Sequence, residues 1–202
     1  MESKVKNLVF DFGRVLVDYS FEDFLEPLLG SREKASWFMK HVYTDEVDSR
    51  YAKELRPTRH YTNELKREWP EFEYTLEALE TSYPEIVTGE VPGMRELLKS
   101  LKDKGYRLYG LSNWSSQVYD TLEHYKIFDL LDDRMISCEV HQVKPDVEIY
   151  HTFLKKFDLN PEECVFTDDK LENIEGAKAA GMHAIQFKNA KQYQQELERL
   201  VG

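Results

Sequence analysis

The 202-residue sequence contains only two cysteines and no long apolar segment. Cys138 and Cys164 each lie in a short apolar stretch, so we expect two buried thiols and not a disulfide framework. A membrane-spanning helix needs about 20 consecutive apolar residues, and no stretch approaches that length. The segment 1–6 is mostly polar, and the apolar run after it is too short for a signal peptide. The sequence therefore predicts a cytoplasmic protein.

Basic residues are also scarce, since 27 lysines and arginines face 38 aspartates and glutamates, which gives a net charge of -11. An acidic protein repels nucleic acids and anionic membrane surfaces, so we expect neither as a partner. An anionic small molecule would have to be bound by a local cluster of cations, backbone amides or metal. The length allows one domain or a compact core with an insertion.

Apolar strand patterns alternate with helical patterns along most of the chain. The predicted strands are 5–11, 106–112, 134–138, 163–167 and 183–187. The predicted helices are 92–105, 115–125, 147–157, 171–180 and 191–200. This alternation predicts an α/β fold with a doubly wound, mostly parallel sheet and right-handed crossovers.

The interval 19–90 breaks the alternation. It is rich in aromatic residues, shows no convincing strand and contains four helix-like pieces, namely 21–29, 32–43, 60–69 and 72–83. A crossover between parallel strands needs only about a dozen residues. We therefore predict a Rossmann-like core formed by 1–18 and 91–202, with an inserted helical cap formed by 19–90.

Polar residues follow three of the predicted strands at the point where each strand ends. Asp11 ends the first, Ser112–Asn113 the second and Asp168–Asp169 the fourth, while Lys144 precedes the helix after the third. Ligands of doubly wound sheets bind at the carboxyl ends of the strands. We therefore expect these residues to meet at one edge of the sheet.

These residue types suit the transfer of a phosphoryl group. A carboxylate such as Asp11 can attack phosphorus only where positive charge offsets the repulsion between two anions. Mg²⁺ prefers oxygen ligands, which Asp11, Asp169 and the carbonyl of Gly13 can supply. The segment Ser112–Asn113 can hold phosphoryl oxygens through a hydroxyl and backbone amides, and Lys144 can neutralise developing charge.

Four segments resemble, in order, the four motifs of the haloacid dehalogenase superfamily. They are 10–18, 111–113, 143–146 with Ile149 and Tyr150, and 165–169 with Asn173 and Ile174. The resemblance covers the whole chain, with the insertion where the family places its cap. Within the superfamily the chain looks most similar to bacterial sugar-phosphate phosphatases, including a glucose-1-phosphate phosphatase.

The resemblance implies a phosphoric monoester hydrolase that forms an aspartyl-phosphate on Asp11. It also implies Mg²⁺ held by Asp11, the Gly13 carbonyl and Asp169, and phosphate held by Ser112–Asn113 and Lys144. The expected substrate is a small phosphate monoester such as glucose-1-phosphate. The sequence does not predict the oligomeric state.

Position 13 departs from the pattern of most phosphatases of this superfamily. They carry a second aspartate there, two residues after the nucleophile, as the general acid and base, whereas this chain has Gly13. We expect Asp168 to assist catalysis by activating water or by supporting its neighbours. Asn173, about one helical turn later, is expected to orient the metal site by hydrogen bonding.

Two other functions are compatible with parts of the sequence. Dehalogenases of the superfamily also lack the second aspartate, but they typically carry Ser-x-Asn where this chain has Asp168–Asp169. A non-catalytic binding protein could keep the fold, although retention of Asp11, Lys144 and Asp169 argues against it, since unpaired charges destabilise a cleft. Magnesium dependence would separate the phosphatase from the dehalogenase.

Overall fold

The computed structural model describes residues 5–202, and its centre is a five-stranded parallel sheet. The strands are β1 (Asn7–Phe10), β2 (Val17–Tyr19), β3 (Val87–Glu90), β4 (Arg107–Ser112), β5 (Asp133–Ile136), β6 (Cys164–Asp168) and β7 (His183–Gln186). The sheet order is β5-β4-β1-β6-β7, and β2 pairs with β3 in a separate antiparallel ribbon.

Helices occupy most of the remaining chain. Between β2 and β3 lie α1 (Phe21–Leu29), α2 (Arg32–His41), α3 (Asp45–Lys53), α4 (Thr58–Glu68) and α5 (Glu73–Thr81). After β3 come α6 (Met94–Asp103), α7 (Val118–His124), α8 (Ser137–Val140), α9 (Val147–Lys156), α10 (Leu171–Ala179) and α11 (Ala190–Val201). None of the helices within 5–202 combines the length and apolarity needed to cross a bilayer.

Strand β1 is buried on both faces, which explains its unbroken apolar run. Leu8 and Phe10 belong to the larger core, which extends into the helical insertion, whereas Val9 belongs to a smaller core on the opposite face. β1 pairs with β4 on one side and β6 on the other, so the chain changes direction across the sheet at β1. Such a switch point places a ligand cleft at the carboxyl ends of these strands.

The predicted α/β fold is confirmed, and so is the burial of both cysteines as free thiols. The prediction that 19–90 contains no strand is wrong, because β3 lies within it and pairs with β2. Each strand of this ribbon has only three or four residues, too few to show an alternating pattern. The division into a core and a 19–90 cap stays a prediction.

Helix α3 was also missed by the sequence pattern. It begins after Thr44, whose hydroxyl accepts a hydrogen bond from the backbone amide of Val47 at 3.3 Å. Only Tyr51 and Ala52 are buried in this helix, so its apolar periodicity is weak. Its position is important because several of its residues line the cleft described next.

Candidate active site

A tight turn after β1 holds Asp11 at the edge of the sheet. The backbone amide of Asp11 donates to the carbonyl of Thr167 in β6 at 2.9 Å. The backbone amide of Val17 donates a hydrogen bond to the carbonyl of Phe12 at 3.0 Å, which closes the turn. Within the turn, Arg14 adopts a left-handed conformation with a φ of 62°. The turn therefore points the carboxylate of Asp11 into the cleft beside Gly13.

Lys144 is a buried cation between two carboxylates. Its side chain is 1% exposed, and its Nζ lies 2.8 Å from Oδ1 of Asp11 and 2.7 Å from Oδ2 of Asp168. Nζ also donates a hydrogen bond to the carbonyl of Leu111 at 3.0 Å, so the ammonium makes two hydrogen bonds, to Leu111 and Asp168, and an ion pair with Asp11. Burial alone would lower the pKa of Lys144, but the charges of Asp11 and Asp168 raise it above its usual value. Lys144 is therefore held as a charged group.

The side chain of Asn113 fixes the backbone of Lys144. Its Nδ2 donates to the carbonyl of Lys144, and its Oδ1 accepts from the amide of Lys144, each at 2.8 Å. The oxygen and one of the two amide hydrogens of Asn113 thus position Lys144. The second hydrogen of Nδ2 and the backbone amide of Asn113 remain as donors for a phosphate.

Asp168 has no exposed surface. Its Oδ2 accepts from Lys144, its Oδ1 accepts from the amide of Lys170 at 2.9 Å, and Nδ2 of Asn173 lies 3.0 Å from each oxygen. This burial leaves no surface for a water molecule. Of the two roles predicted for Asp168, these contacts favour the support of its neighbours, since Asp168 holds Lys144 and Asn173 holds Asp168.

Asp11 is the carboxylate of this group that faces the cleft. Burial raises its pKa from 3.8 to about 6, although the charge of Lys144 and a hydrogen bond from Ser112 oppose the rise. A carboxyl with this pKa is mostly ionised at neutral pH. Asp11 thus combines nucleophilic charge with access to the cleft, which is what covalent catalysis by a carboxylate requires.

Three carboxylates converge beside Lys144. Oxygen atoms of Asp11, Asp168 and Asp169 lie within 4.8 Å of one another. Three carboxylates and one ammonium leave two negative charges in excess, an environment that favours a divalent cation with oxygen ligands. Because Asp168 is held by its protein partners, Asp11 and Asp169 are the two carboxylates of this group that line the cavity, and Gly13, the third predicted ligand, lines it too. The donor set present therefore fits Mg²⁺.

The cleft widens into a cavity of about 190 Å³ between the sheet edge and the helical insertion. The lining residues outside the helical insertion are Asp11, Gly13, Ser112, Asn113, Trp114, Ser115, Lys144, Asp169, Lys170 and Asn173. The lining residues from the insertion are Tyr19, Phe21, Tyr43, Asp45, Asp48, Ser49, Tyr51, Ala52, Tyr83 and Ile86. The structure thus brings all the predicted site residues except the buried Asp168 to one cavity.

The sequence analysis did not single out several other residues that line the cavity. Trp114 and Lys170 directly follow predicted site residues, and that adjacency could have identified them. Asp48 and Tyr51 carried no such signal because α3 itself was not recognised. Their place in the cavity follows from how the insertion packs on the core.

Hydrogen bonds fasten the end of α3 to the core beside the cavity. The carboxylate of Glu54 accepts from the amide of Ser116 at 2.6 Å and from its hydroxyl at 2.7 Å. The hydroxyl of Ser137 donates to the carbonyl of Ala52 at 2.7 Å. These contacts hold the insertion over the site, so the cavity is roofed.

A doubly wound sheet with a carboxylate, a buried lysine and an acidic pair at its switch point defines a hydrolase-type site. The chain matches the haloacid dehalogenase-like hydrolases over residues 8–187 and belongs to this family. The resemblance inferred from the four motifs is therefore confirmed.

Two curated relatives are named as phosphatases. D-ribitol-5-phosphate phosphatase of Bacteroides thetaiotaomicron is 25% identical over 98% of this chain and 99% of its own length. Sesquiterpene phosphatase AstK of Aspergillus oryzae is 36% identical, but the match covers 54% of this chain and 56% of that protein. The chain thus spans about half the length of one relative and nearly all of the other.

A solved structure shares the fold over most of both chains. It is a HAD family enzyme from Bacteroides thetaiotaomicron, crystallised with magnesium and inorganic phosphate, with a TM-score of 0.74 and 19% identity. The match covers 92% of this chain and 95% of that one. At this identity the likeness establishes the fold.

Proposed function

We propose that this protein is a Mg²⁺-dependent phosphatase that hydrolyses a small phosphate monoester through an aspartyl-phosphate on Asp11. The observation that carries the proposal is the carboxylate of Asp11, which opens to a cavity and lies 2.8 Å from the buried ammonium of Lys144. A carboxylate beside a fixed cation can approach an anionic phosphoryl group. The named phosphatase relatives support the same class of reaction.

Phosphate binding would use the end of β4 together with Lys144. Ser112 lines the same cavity as Asp11, and its hydroxyl opposes the rise in the pKa of Asp11. The backbone amide of Asn113 would donate a hydrogen bond to a phosphoryl oxygen, and the ammonium of Lys144 would supply positive charge. Mg²⁺, held by Asp11, Asp169 and the Gly13 carbonyl, would supply charge that offsets the repulsion between the ester and the carboxylates.

The reaction would proceed in two displacements. One oxygen of Asp11 attacks phosphorus, and the bond between phosphorus and the alcohol oxygen breaks as the aspartyl-phosphate forms; the alcohol oxygen leaves with the electron pair of that bond and takes a proton from solvent. Water then attacks the phosphorus of this intermediate, which releases inorganic phosphate and restores the carboxylate. Lys144 stabilises charge on the phosphoryl oxygens in both steps, and Asp168 keeps Lys144 in place.

The cavity favours a small substrate with hydroxyl groups. A volume of about 190 Å³ suits a triose, pentitol or hexose phosphate. Asp45 and Asp48 line the cavity from the helical insertion, where they can accept hydrogen bonds from hydroxyl groups and repel a second anion. We therefore propose sugar or polyol phosphates, with glucose-1-phosphate among the candidates.

The test is a panel of phosphate esters assayed with Mg²⁺ and again with EDTA. We expect turnover of at least one sugar or polyol phosphate by the wild type with Mg²⁺, and none by Asp11→Asn, whose amide cannot attack phosphorus. Beryllofluoride with Mg²⁺ should mimic the aspartyl-phosphate and raise the melting temperature of the wild type by ligand linkage.

Each alternative gives a different result in this panel. Full activity in EDTA with a haloacid substrate would replace the proposal with a dehalogenase. Absence of turnover across the panel, together with no thermal shift in Mg²⁺, would replace it with a non-catalytic binding protein. The retained Asp168–Asp169 pair favours the phosphatase over both.

A further inference from the structure

The backbone of Gly13 does not require glycine for its conformation. Gly30, Gly89, Gly93, Gly105 and Gly181 have positive φ angles, but Gly13 does not. What excludes a side chain at position 13 is a neighbour. A Cβ atom placed on Gly13 would lie 2.7 Å from Cε1 of Tyr19, closer than side-chain carbons approach.

The ring of Tyr19 therefore occupies the space that a side chain at position 13 would fill. Tyr19 is the last residue of β2, where the chain enters the helical insertion, and it lines the same cavity as Asp11 and Lys144. Its ring packs edge-on against the ring of Phe21, with 5.8 Å between the two ring centres. The guanidinium of Arg14 lies 4.8 Å from the ring centre of Tyr19. The ring is thus held on two sides.

Tyr19 lines the cavity together with Asp11 and Lys170. Burial raises the pKa of Tyr19 above the usual 10, and the positive charges of Arg14 and Lys170 oppose this rise. The phenol is therefore neutral at physiological pH. The guanidinium of Arg14 lies over the ring and carries only hydrogen-bond donors, so it cannot accept the phenol hydrogen, which is left for an acceptor in the cavity that Tyr19 lines.

We propose that Tyr19 takes the place of the side chain missing at position 13 and donates a hydrogen bond to the leaving-group oxygen of the phosphate ester. This inference rests on the proposed phosphatase function and adds a residue that determines which esters react. Tyr19 keeps its proton, and its donated hydrogen bond stabilises the negative charge that grows on the alcohol oxygen as the bond to phosphorus breaks. Alcohols that are poor leaving groups need this stabilisation most.

The first experiment compares Tyr19→Phe with the wild type on esters of different leaving groups. A hydrogen bond to a charged group is worth about 10- to 100-fold in rate, so we expect that loss in kcat/KM for glycerol-3-phosphate. For p-nitrophenyl phosphate, whose leaving group needs little stabilisation, we expect a loss of less than about threefold. The slope of log kcat/KM against leaving-group pKa should steepen across substituted phenyl phosphates.

Tyr51→Phe is the matched control. The ring of Tyr51 lines the same cavity, but its hydroxyl is paired with Thr62 at 2.9 Å and so is already engaged within the insertion. We expect the ratio between the two esters to stay at the wild-type value in this variant. Equal losses on both esters in Tyr19→Phe, or no loss on either, would overturn the inference while leaving the phosphatase proposal standing. An inactive wild type would instead contradict the phosphatase proposal itself.

A second measurement tests the spatial substitution without using activity. An added side-chain carbon that clashes with a packed neighbour typically lowers the free energy of unfolding, and with it the melting temperature, by about 3–10 °C in a protein of this size. We therefore expect Gly13→Ala to lower the melting temperature by that amount when Tyr19 is present. In a Tyr19→Ala background, where the ring is removed, the same substitution should cost less than about 2 °C. An equal loss in both backgrounds would show that Tyr19 does not fill the space beside Gly13.

Discussion

Replacing Lys144 with methionine should cost stability as well as activity, because the ammonium is the shared partner of two carboxylates. Methionine keeps much of the apolar stem but removes the charge and all three donors. Asp168, with no exposed surface, would lose its only cationic side-chain partner among the described residues, and the carbonyl of Leu111 would lose the donated hydrogen bond. The variant therefore isolates the cost of an unpaired buried charge.

Removing one partner of a buried ion pair typically destabilises a protein by about 3–5 kcal/mol. The side-chain exposures of 1% for Lys144 and 0% for Asp168 place this pair in that class. We expect Lys144→Met to lower the free energy of unfolding by about 3–5 kcal/mol in the metal-free protein. Neutralising the stranded carboxylate in Lys144→Met/Asp168→Asn should restore part of the loss.

Urea unfolding in EDTA measures these differences, since Mg²⁺ would otherwise add ligand linkage. Lys6→Met is the matched control, because Lys6 pairs with Glu163 at 2.7 Å but its side chain is 64% exposed. An exposed pair is worth at most about 1 kcal/mol, so this control should remain close to the wild type. If Lys144→Met unfolded within about 1 kcal/mol of Lys6→Met, or if the double variant were no more stable than Lys144→Met, the argument from buried charge would be refuted.

Three further predictions concern the metal, the nucleophile and the cavity wall. Asp169→Ala should abolish turnover and also the rise in melting temperature that Mg²⁺ with beryllofluoride gives the wild type; a retained shift would remove Asp169 from the metal site. In the folded, metal-free protein the pKa of Asp11 is about 6, whereas that of an unperturbed aspartate is 3.8. The folded protein therefore binds the Asp11 proton more tightly than the unfolded chain does, and the free energy of unfolding falls as the pH rises through 6. Asp11→Asn removes this loss and should unfold with a free energy up to about 3 kcal/mol higher than the wild type at pH 7.5 in EDTA, with a smaller gain at pH 5; an equal gain at both pH values would contradict the assignment. Asp48→Asn should improve kcat/KM for a sugar bisphosphate relative to the monophosphate by roughly fivefold, since one repelling charge is lost, and an unchanged ratio would place Asp48 outside the substrate pocket.

The sequence alone was enough to predict the parallel sheet and the groups at its edge. Buried strands of this kind are apolar on both faces, and three of the five predicted strands were followed by polar groups such as Asp11 and Asp168–Asp169. Because the carboxyl ends of parallel strands share one edge, the meeting of residues 11, 112, 144 and 169 followed from the strand pattern before any contact was known. The four motifs then gave the family.

The ribbon and the third helix of the insertion were beyond the sequence pattern. β2 and β3 have only three and four residues, and α3 buries only Tyr51 and Ala52. The apolar residues of these elements are therefore too few to form a recognisable periodic pattern. Their placement depends on packing against the core, through contacts such as that of Glu54 with Ser116. Such contacts join residues that are far apart in the sequence, so a pattern of neighbouring residues gives no sign of them.

The sequence by itself determined which chemical groups stand at the sheet edge, and the tertiary structure decided what each of them can do. Adjacent aspartates at 168 and 169 look alike in sequence, yet only packing buries the first against Lys144 and Asn173 and leaves the second at the cavity. Gly13 reads in sequence as a missing acid, whereas the structure shows the ring of Tyr19 in its place. The apolar pattern of a strand indicates which of its residues are buried. The neighbours of a residue come from segments far away in the chain, and those neighbours determine its charge, its exposure to the cavity and its role.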